Sequence, residues 1–299
     1  MDFYLVTGFL GAGKTTFLKN FIQLFPNQKI YLIINEFGAA GVDGTLLADM
    51  NATLAEINNG SIFCACRLDK FEETLMQAIA AQPDVIITEA SGLADPTNVQ
   101  RVLAQYPSVQ YKGSVCLVDS VRLERVFSTA VVCPRQLSVA SLILLNKTDL
   151  ATPAQLATTK ELVQQVNPAA TMVETAFGVV QPQWLTHLTP VLDLAQAAQE
   201  KDITLQKQCL LVSPDMPKQN LERCLAQLSE SSWRMKGFIT VAEGDYFVDC
   251  TGATISMTPW QQGTDQQLVV LAGRGMPLRK AIKLAVEWYP SYLKVKKEY

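Results

Sequence analysis

Up to about residue 180 the chain repeats one pattern: a short, mainly apolar run, a break, then a longer stretch with apolar residues three and four apart. The apolar runs predict strands over 3–7, 29–34, 53–57, 84–88, 113–118, 141–145 and 171–174. The amphipathic stretches predict helices over 14–25, 68–81, 97–105, 120–128 and 153–166. Strands mainly apolar along their length, rather than at every second residue, are buried on both faces. Their alternation with helices therefore predicts an α/β fold with a mainly parallel sheet, over residues 1–180.

Beyond that point the rhythm changes. Residues 181–203 read as a linker with a helical stretch over 191–200. Residues 204–299 predict strands at 210–212, 237–241, 246–250 and 268–271, with amphipathic helices at 220–229 and 277–289. That order predicts a smaller α+β domain of the ferredoxin-like kind. No internal repeat or low-complexity segment interrupts it.

The chemistry sits where predicted strands end. Residues 8–15 read Gly-Phe-Leu-Gly-Ala-Gly-Lys-Thr, a full G-x-x-x-x-G-K-[ST] match between a strand and a helix. Glycines there let the backbone approach a phosphate, and the freed N–H groups and helix N-terminus face the anion. The candidate phosphate-binding set is Gly8, Gly11, Ala12, Gly13, Lys14, Thr15 and Thr16. Lys14 would reach the outer phosphates and the Thr15 hydroxyl would hold Mg²⁺. A nucleoside triphosphate is the expected ligand.

The second signal concerns the base. Strand 141–145 ends in Asn146-Lys147-Thr148-Asp149, an N-K-x-D pattern. A carboxylate at Asp149 can accept from both the ring N–H and the exocyclic amine of guanine, and adenine has no matching pair. Lys147 would lie across the base and Asn146 would brace the loop, so GTP and GDP are expected. The stretch 174–178, Glu-Thr-Ala-Phe-Gly, could add a further base-contacting loop. The third signal is Glu89-Ala90-Ser91-Gly92 at the end of strand 84–88. Glu89 is a candidate Mg²⁺ contact, and Gly92 can give its N–H to a terminal phosphate. The candidate catalytic residues are Lys14, Thr15 and Glu89.

These motifs, with Ile34-Asn35-Glu36-Phe37-Gly38, resemble the CobW-like family of P-loop metal-chaperone GTPases. The resemblance extends to Arg234-Met235-Lys236-Gly237-Phe238, Trp260 and Leu271-Ala272-Gly273-Arg274, and so spans nearly the whole chain. It implies GTP binding and slow hydrolysis, coupled to delivering a metal or maturing a metal- or cobalamin-dependent client. Glu36 and Asp43 are carboxylates suited to Mg²⁺ or a switch role.

Three departures from the family pattern bear on that expectation. The family's Cys-x-Cys-Cys follows an Asn-Gly pair, and here Asn59-Gly60 is followed by Ser61, Phe63 and Cys64, with Cys66 an additional thiol. Cys64 and Cys66 could form half of a site for Zn²⁺ or another transition metal, or could be small buried packing residues. Many relatives place an acid after the Asn-Glu-Phe-Gly stretch, where this chain has Ala39-Ala40. Leu93 stands where Ras-type GTPases place a water-positioning glutamine, so hydrolysis should be slow or partner-dependent. Arg67 and Arg101 are arginine-finger candidates by proximity alone, with solvated surface roles the alternative.

Two functions follow, a GTP-driven metallochaperone and a metal-free GTPase switch that docks a client enzyme. A P-loop kinase is a distant third. The client would be a metalloprotein or a cobalamin-dependent protein, and homodimerisation stays open.

Composition adds bounds. A formal charge of −3, from 25 basic and 28 acidic residues with no long basic run, gives no reason to expect nucleic acid. No apolar stretch reaches membrane-spanning length, and the first strand begins almost at Met1, so neither a membrane span nor a signal peptide is expected. Seven cysteines, an odd number, fit a reducing cytoplasm better than a disulfide framework. Cys116, Cys209, Cys224 and Cys250 read as packing residues. The single histidine, His187, reads as a surface or linker residue and gives no histidine-rich metal store.

Overall fold

The computed structural model describes residues 1–35, 52–57, 68–186, 188–191, 206–252, 254–261, 263–273 and 275–296. The chain divides into two compact units, Met1–Lys201 and Asp202–Tyr299.

The first unit is built on seven strands: β1 (Asp2–Gly8), β2 (Ile30–Asn35), β3 (Thr53–Ile57), β4 (Val85–Glu89), β5 (Gln110–Asp119), β6 (Leu142–Asn146) and β7 (Thr171–Glu174). They run in the order β3-β2-β4-β1-β5-β6-β7, and every neighbouring pair is parallel. The helices are α1 (Lys14–Phe21), α2 (Leu68–Ala80), α3 (Val99–Leu103), α4 (Leu123–Thr129), α5 (Val132–Ser138) and α6 (Pro153–Val166).

Alternation along β1 explains the layering. Tyr4 and Val6 join Phe17, Leu18 and Phe21 of α1 in one core. Phe3 and Leu5 join Phe71 and Leu75 of α2 and Val102 of α3 in another. The sheet is thus covered on both faces, as its mainly apolar strands predict. Trp184, Leu185 and Leu188 also pack against the first core.

Some elements differ from expectation. The first helix ends at Phe21 and continues as a 3₁₀ turn, Ile22–Leu24. The helix expected over 97–105 is a 3₁₀ turn, Pro96–Asn98, followed by the short α3. The one expected over 120–128 begins only at Leu123. Helix α5 is not among the expected elements, and it contains Pro134. That proline falls in the helix's first turn, where a missing N–H costs nothing.

The second unit is a six-stranded antiparallel sheet: β8 (Gln206–Val212), β9 (Arg234–Val241), β10 (Gly244–Thr251), β11 (Thr254–Pro259), β12 (Gln267–Ala272) and β13 (Leu293–Val295). The order is β11-β10-β9-β12-β8-β13. The run β13-β8-β12-β9 with α7 (Lys218–Ser229) and α8 (Leu278–Trp288) is the ferredoxin-like arrangement, and the β10–β11 hairpin extends one edge. Strands β11 and β13 escaped the sequence reading because they are edge strands with few buried positions. No helix among the described residues is long and apolar enough to cross a membrane.

Candidate nucleotide site

Ligands of open parallel sheets bind outside the carboxyl ends of the strands, and every described motif residue lies at that edge of the first unit. The P-loop leaves β1 at Gly8 and enters α1 at Lys14. Lys14 is buried, and its ammonium donates to the carbonyls of Gly8 at 2.9 Å and Phe9 at 3.3 Å. The cation is therefore held at the loop by neutral acceptors, which an anion can outcompete. Thr15 is half-buried and Thr16 exposed in the first turn of α1.

Glu89 ends β4, in register with Val6 of β1, and the next peptide closes the pairing through Ala90 N–H to Val6 O at 2.9 Å. Its carboxylate is 4% exposed. Thr15 and Glu89 supply hard oxygen donors of the kind that suit Mg²⁺. Glu36, Asp43, Cys64, Cys66, Arg67 and His187 lie outside the described residues. Arg101 is exposed on α3, and Leu93 is half-buried.

The second motif meets the P-loop directly. Asn146 Nδ2 donates to Ala12 O at 2.8 Å, and its Oδ1 accepts from Gly178 N–H at 3.0 Å. One buried amide thus links the P-loop, the end of β6 and the 175–178 loop. Gly13 makes room for it: the glycine has φ 99°, and a Cβ there would come within 2.5 Å of Asn146 Nδ2. Thr148 anchors the same loop, its Oγ1 donating to Thr175 O at 2.9 Å. Asp149 is left exposed.

Several residues at this edge were not singled out from sequence. Asp119 ends β5 beside Asn146 of β6 and pairs with Lys147 at 2.7 Å. The Lys147 ammonium is thereby engaged, leaving its aliphatic stem as the part that can cover a base. Asn20 of α1 donates to Phe177 O at 3.1 Å and Gly178 O at 3.0 Å. These bonds help hold Phe177 at φ 54°, a strained conformation for an aromatic residue, with its side chain 69% exposed.

The sequence of residues 2–174 matches the model of the CobW/HypB/UreG nucleotide-binding domain. The chain belongs to the CobW/HypB/UreG family. Among curated CobW/HypB/UreG relatives, the zinc chaperone YjiA of Escherichia coli (strain K12) is 32% identical over 161 residues, 50% of this chain and 50% of that protein. The zinc chaperone CobW of a Sinorhizobium species is 34% identical over 213 residues, 59% of each. The chain thus spans about half the length of the curated relatives it matches. A crystal structure of Zn(II)-bound YjiA GTPase from E. coli aligns over 96% of this chain and 98% of that chain, with 19% identity and a TM-score of 0.48.

Among the described residues, no cluster of three or more His, Cys, Asp or Glu could hold a metal ion. The five described cysteines are buried, and none of them is in a disulfide. Burial pushes the thiols of Cys116 and Cys250 up to about 11 and that of Cys224 to about 12, and raises Cys133 as well. Burial of this kind suits these four thiols to a packing role.

Proposed function

We propose that this chain binds GTP, hydrolyses it slowly, and uses the nucleotide cycle to deliver a metal ion to a client metalloprotein. The observation that carries the reading is the Asn146 bridge. It ties the phosphate-binding loop to the base-reading loop, so that one triphosphate can span both. Bound Mg²⁺, held by Thr15 and Glu89 with Glu36 as a further candidate, would offset charge on the phosphates. Lys14 would leave its carbonyl partners for the phosphates, and Asp149 would accept from guanine. Leu93 offers no hydrogen bond to a water, which supports slow turnover without a partner.

Zn²⁺ is the first candidate cargo, in keeping with the names of the curated relatives. The placement of Ser61 and Phe63 where the family carries cysteines favours a second reading, a metal-free switch whose GTP state docks its client. Equilibrium Zn²⁺ binding separates the two, measured with and without GTP and Mg²⁺ on the parent and on Cys64→Ser/Cys66→Ser. The first reading expects tight, GTP-sensitive binding that the double variant loses. Equal binding by both proteins would remove those thiols from the cargo site, and no binding would leave the switch.

Phe177 supports a base-facing role for the 175–178 loop. An exposed aromatic in a strained conformation is stable only if its surroundings enforce it, and such strain clusters at ligand sites. Phe177→Asn, whose side chain tolerates φ above zero, should relieve about 1 kcal/mol. In a unit of this size the melting temperature should then rise by about 2–4 °C. GTP affinity should fall by about tenfold, as stacking on the base is lost. Thermal melts and GTP titrations check both halves, and a variant that melts lower than the parent would show that the conformation is unstrained.

A further inference from the structure

The loop after Glu89 is gripped from two sides. On one side Gly92 lies against the P-loop, where a Cβ would come within 2.7 Å of Leu10 N and 2.9 Å of Leu10 Cα. On the other side stands α5. Gln136, 1% exposed, donates from Nε2 to Gly92 O at 3.2 Å and to Ala94 O at 3.0 Å. Its neighbour Arg135 pairs through Nη1 with Asp95 Oδ2 at 2.7 Å. Asp95 in turn caps the turn at Pro96–Asn98, its Oδ1 accepting from Thr97 N–H at 3.1 Å.

A side-chain amide has two N–H donors. Gln136 places both on carbonyls of one loop, which fixes Gly92 and Ala94 relative to α5. The Gly92 N–H is only one residue's torsions away from the carbonyl that Gln136 holds. With the Gly92 carbonyl held by Gln136 and the Gly92 Cα packed against Leu10, the residue that carries this N–H is restrained from both sides.

We propose that Gln136 is a positioning residue for the terminal phosphate: through the 92–94 carbonyls it keeps the Gly92 N–H aimed where GTP, and not GDP, presents an acceptor. Arg135 secures the far end of the same loop. This rests on the GTP reading above and deepens it. The nucleotide state is then felt at α5, a helix outside every phosphate- and base-binding motif.

The test is a pair of equilibrium titrations, with a non-hydrolysable GTP analogue and with GDP, on the parent, Gln136→Met and Arg135→Ala. Gln136→Met keeps the side chain's length and removes its donors. The analogue should bind about tenfold more weakly, the size expected for one or two neutral hydrogen bonds, with GDP affinity changed less than twofold. Arg135→Ala, at a partly exposed position, should shift the ratio in the same direction by a smaller factor and serves alone if Gln136→Met does not fold. Loss of melting temperature does not decide the matter, since a purely structural glutamine would cause it too. The ratio decides: equal weakening of both nucleotides, or an unchanged ratio, would overturn the positioning role. A parent that binds neither nucleotide would overturn the GTP reading and this inference with it, a result distinct from a parent whose ratio is insensitive to Gln136.

Discussion

Lys14→Ala should abolish the stabilisation of the protein by GTP. Ligand bound only to the folded state stabilises it by RT ln(1 + [L]/Kd), about 2.7 kcal/mol at a hundredfold excess over Kd. For a unit of this size that is about 5–10 °C in melting temperature. Lys14 would give charge-assisted hydrogen bonds to phosphate oxygens, at about 1.5–3 kcal/mol each. Losing two of them weakens binding at least hundredfold, so the same GTP concentration falls to about Kd and the thermal shift nearly vanishes. Without nucleotide the variant should melt close to the parent. Among the ammonium's partners in the free protein are two neutral loop carbonyls, Gly8 O and Phe9 O. Thermal melts across a GTP series check this. A GTP shift that survives in Lys14→Ala would show that the P-loop is not the phosphate site.

What the sequence made legible at this site is local. The P-loop and the Asn-Lys-Thr-Asp stretch are contiguous runs ending apolar strands, so residue type, spacing and context are all visible at once. The partners that fix those runs are not local. Asp119 is 28 residues from Lys147, Gln136 is 44 from Gly92, and Asn20 is 157 from Phe177. Only the strand order, which carries the chain from β1 outward on both sides, brings each pair together. The fold class was readable because a parallel sheet demands strands apolar on both faces, and Phe3 to Val6 show that without help. Helix α5, which contains Pro134, is not among the expected elements, and with it went the residues that clamp the 92–95 loop. Polarity hid edge strand β11, where threonine and serine alternate with Ile255 and Met257.

Asp149→Asn should exchange guanine for xanthine as the preferred base. The structure commits the other side chains of this stretch to the protein. Asn146 bonds to Ala12 and Gly178, the Lys147 ammonium to Asp119, and Thr148 to Thr175. Of these four residues Asp149 alone is exposed, so base discrimination is expected to fall on its carboxylate. Two hydrogen bonds from guanine to a charged acceptor, at about 1.5–3 kcal/mol each, are lost when the carboxylate becomes an amide. GTP affinity should fall at least hundredfold, at about 1.4 kcal/mol per tenfold. Xanthosine triphosphate carries a carbonyl where guanine has its amine, and the new amide N–H meets it, so its affinity should rise as GTP's falls. Because the substituted side chain is exposed, folding stability should move by no more than about 0.5 kcal/mol. Competitive titration of GTP, ATP and xanthosine triphosphate on parent and variant measures the exchange. An unchanged order of preference would remove Asp149 as the base reader, and the 175–178 loop with Phe177 would be the next place to look.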